Sequence, residues 1–237
     1  MGPLGDATSD LPFKGRWCES LLDAGLTSYL HPLLSHPAAT VRAKACCLLG
    51  NLFRLSSAFY EPARRDSLLL PLARCCADAD PTVRKFATFA VGNAGFHSAY
   101  LYRELVHTVK PLVRCLTDSD SKTRVNAAGA LGNLARNGGE LVAVLCDAGA
   151  PVGCIELALL ACAARAEGPS AQHLLPGRVA LYSLGNIGLH ELARTPIKSA
   201  GVERLMDALS HQHDEVLCRY ASRLATNLGV SLNDHFA

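Results

Sequence analysis

One short motif recurs five times in this chain, and its spacing constrains the fold more than any other feature does. The motif is an apolar stretch that ends in an asparagine, usually directly after a glycine, as in GALGNLAR at residues 129–136. An alanine stands six positions before each of these asparagines. A fixed period of about 40 residues indicates an array of structural repeats rather than an ordinary globular domain. The five asparagines, which follow this period except for one longer interval between the third and the fourth, are Asn51, Asn93, Asn133, Asn186 and Asn227.

The segments around the motif read as helices. Each motif follows a second apolar segment in which leucines recur every three or four residues, which is the pattern of an amphipathic helix. Shorter segments at 17–25, 140–149 and 191–201 supply a further helix, and each ends in Ala-Gly. We expect that glycine to end the helix in the left-handed conformation. Three helices in a unit of about 40 residues fit armadillo repeats better than HEAT repeats. The sequence therefore predicts an all-α, armadillo/HEAT-like right-handed superhelical solenoid of about five repeats.

The repeat period also predicts the domain organisation. Residues 1–16 are expected to form a disordered or irregular leader, and residues 17–237 the armadillo-like repeat domain, with repeats that end near 55, 97, 137, 190 and 232. The single longer interval, from Asn133 to Asn186, requires an insertion of about a dozen residues relative to the repeat period. Glycine, proline and serine cluster at 164–178, where the apolar periodicity lapses. We predict a surface loop there.

Composition excludes several classes of function. The chain is 49% apolar and 19% charged with a net charge of +2, which describes a folded protein. No dense basic run indicates nucleic acid binding, and no apolar stretch is long enough for a membrane span. The ten cysteines form no C-x-x-C pair and lie at helical spacing, which predicts reduced core thiols in a reducing compartment. No metal site, cofactor or small-molecule substrate is expected; His211 to Asp214 is interpreted as a solvated turn between helices.

The repeated polar residues are the candidate functional residues, and each series has two interpretations. In armadillo proteins the last helix of a repeat lines a concave groove, where an asparagine can bind the main chain of an extended peptide. The alternative is that each asparagine bridges to the backbone of a neighbouring repeat. An arginine nine positions before the motif asparagine could form a ladder with Asp78, Asp80, Asp118 or Asp120, or could contact an acidic partner. The arginines in question are Arg42, Arg84 and Arg124.

Two longer segments carry a resemblance to a known family. FAVGNAGFHSAYLYREL at 89–105 and KTRVNAAGALGNLARN at 122–137 resemble the C-terminal armadillo-like region of the Fused-family serine/threonine kinases, and the likeness extends over about 17–230. The chain has no Gly-rich ATP loop, no V-A-I-K lysine, no H-R-D and no D-F-G, so the resemblance implies a non-catalytic tail and not a kinase domain.

The family resemblance carries expectations about biology. It implies a scaffold or regulatory tail in Hedgehog signalling and in assembly of the central pair of motile cilia. It also implies protein partners such as kinesin-like proteins or regulators of the Gli pathway, and a cytoplasmic, ciliary or axonemal location. Two alternatives stay open: a generic armadillo cargo adaptor that binds extended peptides, and an enzyme or enzyme subunit.

Overall fold

The computed structural model describes residues 12–163 and 174–230, and the helices within them fall into five repeats. Within those residues there is no β-strand. Repeat 1 contains α1 (Pro12–Asp23), α2 (Leu30–Leu34) and α3 (Ala39–Leu55); repeat 2 contains α4 (Tyr60–Arg65), α5 (Leu69–Cys75) and α6 (Pro81–Ala94); repeat 3 contains α7 (Tyr102–Leu105), α8 (Val109–Cys115) and α9 (Ser121–Arg136). Repeat 4 contains α10 (Gly139–Asp147), α11 (Ala150–Ala163) and α12 (Leu175–Ile187); repeat 5 contains α13 (Glu191–Ser199), α14 (Val202–Ser210) and α15 (Glu215–Leu228). Short 3₁₀ turns at Leu26–Tyr29, Ser57–Phe59 and Val106–Thr108 join or extend the shorter helices.

The turn between the first and second helix of a repeat depends on one left-handed residue. Gly25, Gly149 and Gly201 have φ of 63°, 85° and 90°, as the recurring Ala-Gly ending predicts. Repeat 2 has Ser67 at the same place with φ 56°, and it is the one non-glycine residue with positive φ in the part of the chain that the structure describes. Repeat 3 has no such residue at this turn.

The last helices of successive repeats pack directly on one another. Each carries alanine and glycine on the side that faces the next repeat, and these small residues let the two backbones approach closely. Gly50 lies against the ring of Phe89, so that a Cβ built there would be 2.7 Å from the ring. Contacts between successive last helices are more extensive than those between successive second helices. The last helices therefore form the shorter, concave side of the curved array, and the core lies between the two layers.

Two predicted boundaries differ from the structure. α1 begins at Pro12, inside the stretch expected to be an irregular leader, because proline is well suited to the first turn of a helix. α12 begins at Leu175, inside the predicted loop at 164–178. Pro176 occupies its first turn, and Gly177 packs against Ala161, where an added Cβ would be 2.8 Å from the alanine methyl group. The rest of that loop, at 164–173, lies outside the described residues, as do 1–11 and 231–237.

Candidate functional site

The repeated residues meet on the solvent-facing side of the last helices. In α3, for example, Cys46, Leu49 and Phe53 are buried against the second helix, while Lys44 and Asn51 face outward. The same division recurs in α6, α9 and α15, because residues three or four apart share one face of a helix. We call this solvent-facing side of α3, α6, α9, α12 and α15 the inner face. Four of the motif asparagines lie on it half-buried, whereas Asn186 in α12 is buried.

The asparagine side chains form a ladder of hydrogen bonds between repeats. From the second repeat onward, Nδ2 of each asparagine donates to the main-chain carbonyl of the glycine that precedes the asparagine of the previous repeat. Asn51 differs, because its Nδ2 donates to the carbonyl of Cys47 within the same helix at 2.9 Å. The bonds between repeats are Asn93 to Gly50 at 3.0 Å, Asn133 to Gly92 at 2.9 Å, Asn186 to Gly132 at 3.0 Å and Asn227 to Gly185 at 2.8 Å.

Two of these bonds satisfy carbonyls at a helix end. Gly92 lies in the last turn of α6 and Gly185 in the last turn of α12, where a carbonyl has no partner within its own helix. Asn133 and Asn227 therefore act as C-terminal caps supplied by the next repeat. This gives the Gly-Asn pair a structural reason, since the glycine carbonyl receives the next asparagine. At Gly50 and Gly132, where an added Cβ would lie 2.7 and 2.6 Å from the next repeat, the missing side chain also lets the next helix approach.

The asparagines retain hydrogen-bonding capacity after forming the ladder. A side-chain amide has two N–H donors and an acceptor oxygen, and the ladder bond uses one donor. Oδ1 of Asn133 accepts from the Tyr182 hydroxyl at 3.4 Å, and Oδ1 of Asn186 accepts from Arg223 at 2.8 Å. Oδ1 of the other three, which are half-buried, accepts no hydrogen bond from the described residues. A contact with a peptide main chain is compatible with this geometry and stays a prediction.

Tyrosines of the first helices hold the backbone at the motif asparagines, and the sequence analysis missed them. The Tyr60 hydroxyl donates to the carbonyl of Asn93 at 2.9 Å, and the Tyr102 hydroxyl donates to the carbonyl of Asn133 at 2.7 Å. Both rings are buried. Burial raises the pKa of Tyr60 to about 12, so the hydroxyl keeps its proton at neutral pH. The signal that could have found them is a tyrosine at nearly the same distance before the motif asparagine in two successive repeats.

The arginines form a second ladder at the N-terminal ends of the last helices. Nε of Arg42 donates to Asp78 of the next repeat at 2.7 Å, and its Nη1 donates to the carbonyls of His36 and Pro37. Nε of Arg84 donates in the same way to Asp118 at 2.6 Å. Each arginine thus fixes the turn before its own helix and joins it to the next repeat. Arg178 and Asp214 repeat the arrangement between repeats 4 and 5.

The arginine pairs lower the pKa of their aspartates. The hydrogen bond from Arg42 is the largest cause at Asp78 and holds the pKa of that carboxyl below its usual range. At Asp118 burial raises the pKa, but the hydrogen bond from Arg84 and a backbone amide together outweigh it, so this pKa is also lowered. Both carboxylates are therefore charged at neutral pH, and both pairs are mostly shielded from solvent.

Arg124 departs from the pattern. Its Nη1 donates to the carbonyls of Asp118 and Ser119 at 2.6 and 3.1 Å, but Nε is buried and has no hydrogen-bond partner among the described residues. The position equivalent to the paired aspartate of the next repeat falls in the 164–173 stretch, outside the described residues. Asp80 and Asp120, which the sequence offered as further ladder partners, instead cap the N-termini of α6 and α9 through backbone amides.

Aromatic side chains occupy the inner face between the asparagines. Phe89 and Tyr182 stand four positions before their motif asparagines, one helical turn away, and both are half-buried. Phe86 and Tyr220 stand seven positions before. The rings of Tyr182 and Tyr220 meet edge to face with centroids 6.0 Å apart. The sequence analysis assigned none of them to the site, although their phase relative to the asparagines marks them as its lining.

Side chains that could perform chemistry do not converge on this face. Burial raises the pKa of Cys115 to about 11 and that of Cys154 to about 12, so both remain protonated thiols at neutral pH. Residues 12–163 and 174–230 contain no group of three histidine, cysteine or acidic side chains placed to hold a metal ion. Within the same residues no single helix has the length and apolarity to cross a membrane, although α10 and α11, bent by 69°, meet that criterion as a pair.

Comparison with known proteins supports the architecture. The model of the Armadillo/beta-catenin-like repeat matches residues 103–136, which correspond to repeat 3. A designed armadillo repeat protein, YIII(Dq.V1)4CPAF in complex with the peptide (KR)4, superposes with a TM-score of 0.78 at 21% identity, covering 90% of this chain and 86% of that one. A computationally designed armadillo repeat protein for modular peptide recognition gives a TM-score of 0.76 at 21% identity, covering 90% and 86%. The chain therefore has the armadillo repeat fold.

Two natural relatives match part of the chain. Serine/threonine-protein kinase 36 of Mus musculus is 41% identical over 86 residues, and so is the same protein of Pongo abelii. The match covers 35% of this chain and 6% of each kinase, so the chain spans a small part of the length of these relatives.

Proposed function

We propose that this chain is a non-catalytic protein-interaction array whose inner face holds an extended segment of a partner protein. The observation that carries the proposal is the row of motif asparagines, four of which lie half-buried on the solvent-facing side of the last helices, in repeats 1, 2, 3 and 5. Asn93 and Asn227 have an unused acceptor oxygen beside an unused N–H, which is the pair of groups that a peptide main chain needs, and Asn51 has an unused acceptor oxygen. Main-chain contacts of this kind bind extended segments with little regard to their sequence.

Specificity would come from the side chains between the asparagines. Leu48, Phe86, Phe89, Tyr182 and Tyr220 are apolar or aromatic, and each keeps part of its surface exposed on the inner face. Aromatic side chains contribute much of the binding energy at protein interfaces because they bury a large area with few rotatable bonds. A partner segment that alternates main-chain contacts with apolar side chains fits this surface best.

The setting we propose is the tail of a Fused-like serine/threonine kinase. The partial identity to serine/threonine-protein kinase 36 and the resemblance of segments 89–105 and 122–137 support it. In that setting the array is a scaffold in Hedgehog signalling and in building the central pair of motile cilia. Its partners would be kinesin-like proteins or Gli-pathway regulators, and its location cytoplasmic and ciliary. Localisation of the tagged chain in ciliated cells tests this setting; a chain excluded from cytoplasm and cilium would refute it.

Selection of peptides by display against the purified chain tests the binding function, with blocked variants as controls. Gly129 lies four positions before Asn133 on the inner face, and only Val179 lies within 4 Å of a Cβ built there, at 3.6 Å. Gly129→Trp should therefore fill the groove floor and abolish binding of selected segments. Leu160→Trp is the matched control, since Leu160 is 62% exposed on the second helix of repeat 4. Failure to select any segment, or equal binding to the wild type and Gly129→Trp, would refute the proposal.

A further inference from the structure

The charges of the chain are distributed unequally between its two layers. The last helices α3, α6, α9, α12 and α15 together contain eleven lysines and arginines and one acidic residue, Glu215. The first and second helices together contain eleven basic and ten acidic residues. The net charge of the whole chain is only +2, so the excess of positive charge is concentrated on the helices that form the inner face.

Most of this positive charge is not neutralised by the described residues. Arg42, Arg84 and Arg178 are engaged by aspartates in the ladder. Six others, all exposed except the half-buried Lys85, form no ion pair with the described residues. These six inner-face cations are Lys44, Arg54, Lys85, Lys122, Arg136 and Arg219.

Acidic residues near the inner face are already engaged. They lie in the turns before the last helices, where Asp78 and Asp118 accept from the ladder arginines, and Asp80 and Asp120 accept from backbone amides at the helix N-termini. Asp214 does both. The exception is Glu215, which is exposed and stands one helical turn before Arg219 in α15. The other uncompensated cations have no carboxylate in the last helices, or in the turns before them, that they could recruit without breaking a ladder pair or a cap.

Three of the six inner-face cations lie beside aromatic rings that line the face. The guanidinium of Arg54 is 6.0 Å from the centroid of the Phe89 ring of the next repeat, and Nζ of Lys85 is 5.3 Å from that of Phe86. The guanidinium of Arg219 is 5.4 Å from the centroid of Tyr220. A cation near a ring is placed next to an apolar contact surface, so one ligand residue can meet the ring while its neighbour meets the charge.

From this distribution we infer that the inner face binds extended acidic segments, rich in Asp and Glu with apolar residues between them. The inference rests on the proposed function and specifies its partner. A concave surface lined by one sign of charge concentrates oppositely charged ligands and repels like-charged ones. A basic segment such as the (KR)4 peptide bound by the designed armadillo protein would meet repulsion in repeats 1, 2, 3 and 5. A row of asparagines with aromatic rings in repeats 2, 4 and 5 suits a polypeptide better than a phosphate backbone.

The test measures the binding of three labelled peptides to the full chain by fluorescence anisotropy. The peptides have equal length and the same apolar residues, and they carry Asp/Glu, Lys/Arg or Ser/Gln at the remaining positions. The acidic peptide should bind at least tenfold more tightly than the neutral one, its affinity should fall with added salt, and the basic peptide should not bind. Lys44→Glu/Lys85→Glu should weaken the acidic peptide at least tenfold. Lys110→Glu/Lys198→Glu makes the same charge change on exposed lysines of α8 and α13 and should change affinity less than twofold.

The outcomes separate this inference from the proposed function. Equal binding of the neutral and acidic peptides, lost in Gly129→Trp, would overturn the acidic preference and leave peptide binding intact. The acidic preference would also be overturned if the basic peptide bound more tightly, or if the two double variants had equal effects. Displacement of the acidic peptide by a single-stranded oligonucleotide of equal length would overturn it as well. Absence of binding by all three peptides, together with no segment selected by display, would overturn both. Lys44→Gln/Lys85→Gln, which removes the charge without reversing it, should lose affinity to a smaller extent in the same direction.

Discussion

Two glycines one turn apart in α9 should respond in opposite ways to the same substitution. Alanine is more favourable than glycine in a helix interior by about 0.8–1.0 kcal/mol. At Gly129 the new methyl group would lie 3.6 Å from Val179, an ordinary contact, so the helix preference should act alone. We expect Gly129→Ala to raise the free energy of unfolding by about 1 kcal/mol.

At Gly132 the same methyl group would collide with the next repeat. It would lie 2.6 Å from Oγ and 2.9 Å from Cα of Ser183. The hydroxyl is held in place by hydrogen bonding, since Oγ of Ser183 lies 2.6 Å from the Ala128 carbonyl oxygen and 2.9 Å from the Val179 carbonyl oxygen. Cα of Ser183 cannot move unless the backbone of α12 moves with it. Overpacking of this kind costs about 1–3 kcal/mol, and loss of the hydroxyl bond about 1 kcal/mol more. After the helix preference is subtracted, Gly132→Ala should lower stability by about 1–3 kcal/mol.

Urea unfolding followed by circular dichroism measures both variants against the wild type in one buffer. The unfolding free energies of the two variants should differ by about 2–4 kcal/mol, which corresponds to several degrees in Tm for a chain of this size. Because repeat arrays can unfold in parts, the slope of the transition has to be compared as well. A Gly132→Ala protein as stable as Gly129→Ala, with an unchanged slope, would refute the account of close packing between the last helices.

Three further substitutions test the ladders and the turn. Asp118→Asn should destabilise the chain at pH 7, and the loss should shrink below about pH 4, because the lowered pKa of Asp118 beside Arg84 adds stability only while the carboxylate is charged in the folded state; a loss independent of pH between 7 and 3 in urea titrations would contradict this. Asn133→Ala should cost about 1 kcal/mol in the same assay, and Asn51→Ala, which breaks no bond between repeats, should cost less; equal losses would count against the asparagine ladder. Ser67→Gly should raise Tm, because a left-handed serine costs about 1–2 kcal/mol and the added chain entropy of glycine only about 0.4–1 kcal/mol; an unchanged or lower Tm would show that the turn is unstrained.

The repeat architecture was predictable because its signals are local and recur. Helical periodicity and a fixed period of about 40 residues need no knowledge of distant contacts. The left-handed turns at Gly25, Gly149 and Gly201 follow from the same recurrence. The predicted boundaries at 16 and 178 were wrong because proline occurs both in loops and in the first turns of helices. Pro12 and Pro176 stand in the first turns of α1 and α12.

The orientation of the asparagines could not be predicted, because their partners lie about 40 residues away in another repeat. Asn93 is half-buried on a helix face where either a groove contact or a neighbouring carbonyl could receive its amide. The hydrogen bonds from Tyr60 and Tyr102 could not be predicted for the same reason, because no local sequence pattern relates a hydroxyl of the first helix to a carbonyl at the end of the last helix. Periodicity identifies the residues that share an environment but does not specify that environment.

The ladder changes what a substitution of these asparagines can reveal about binding. At Asn93 and Asn133 one amide bonds the preceding repeat and would also bind a peptide, so a variant that loses affinity also loses a contact between repeats. Asn51 lacks that second role, because its Nδ2 donates to the Cys47 carbonyl in its own helix. Asn51→Ala should therefore weaken a segment selected to span repeat 1 while the contacts between repeats stay intact. Unchanged affinity of such a segment for Asn51→Ala, with Leu48→Ala as the control that removes a neighbouring apolar contact, would restrict the asparagines to the structural role.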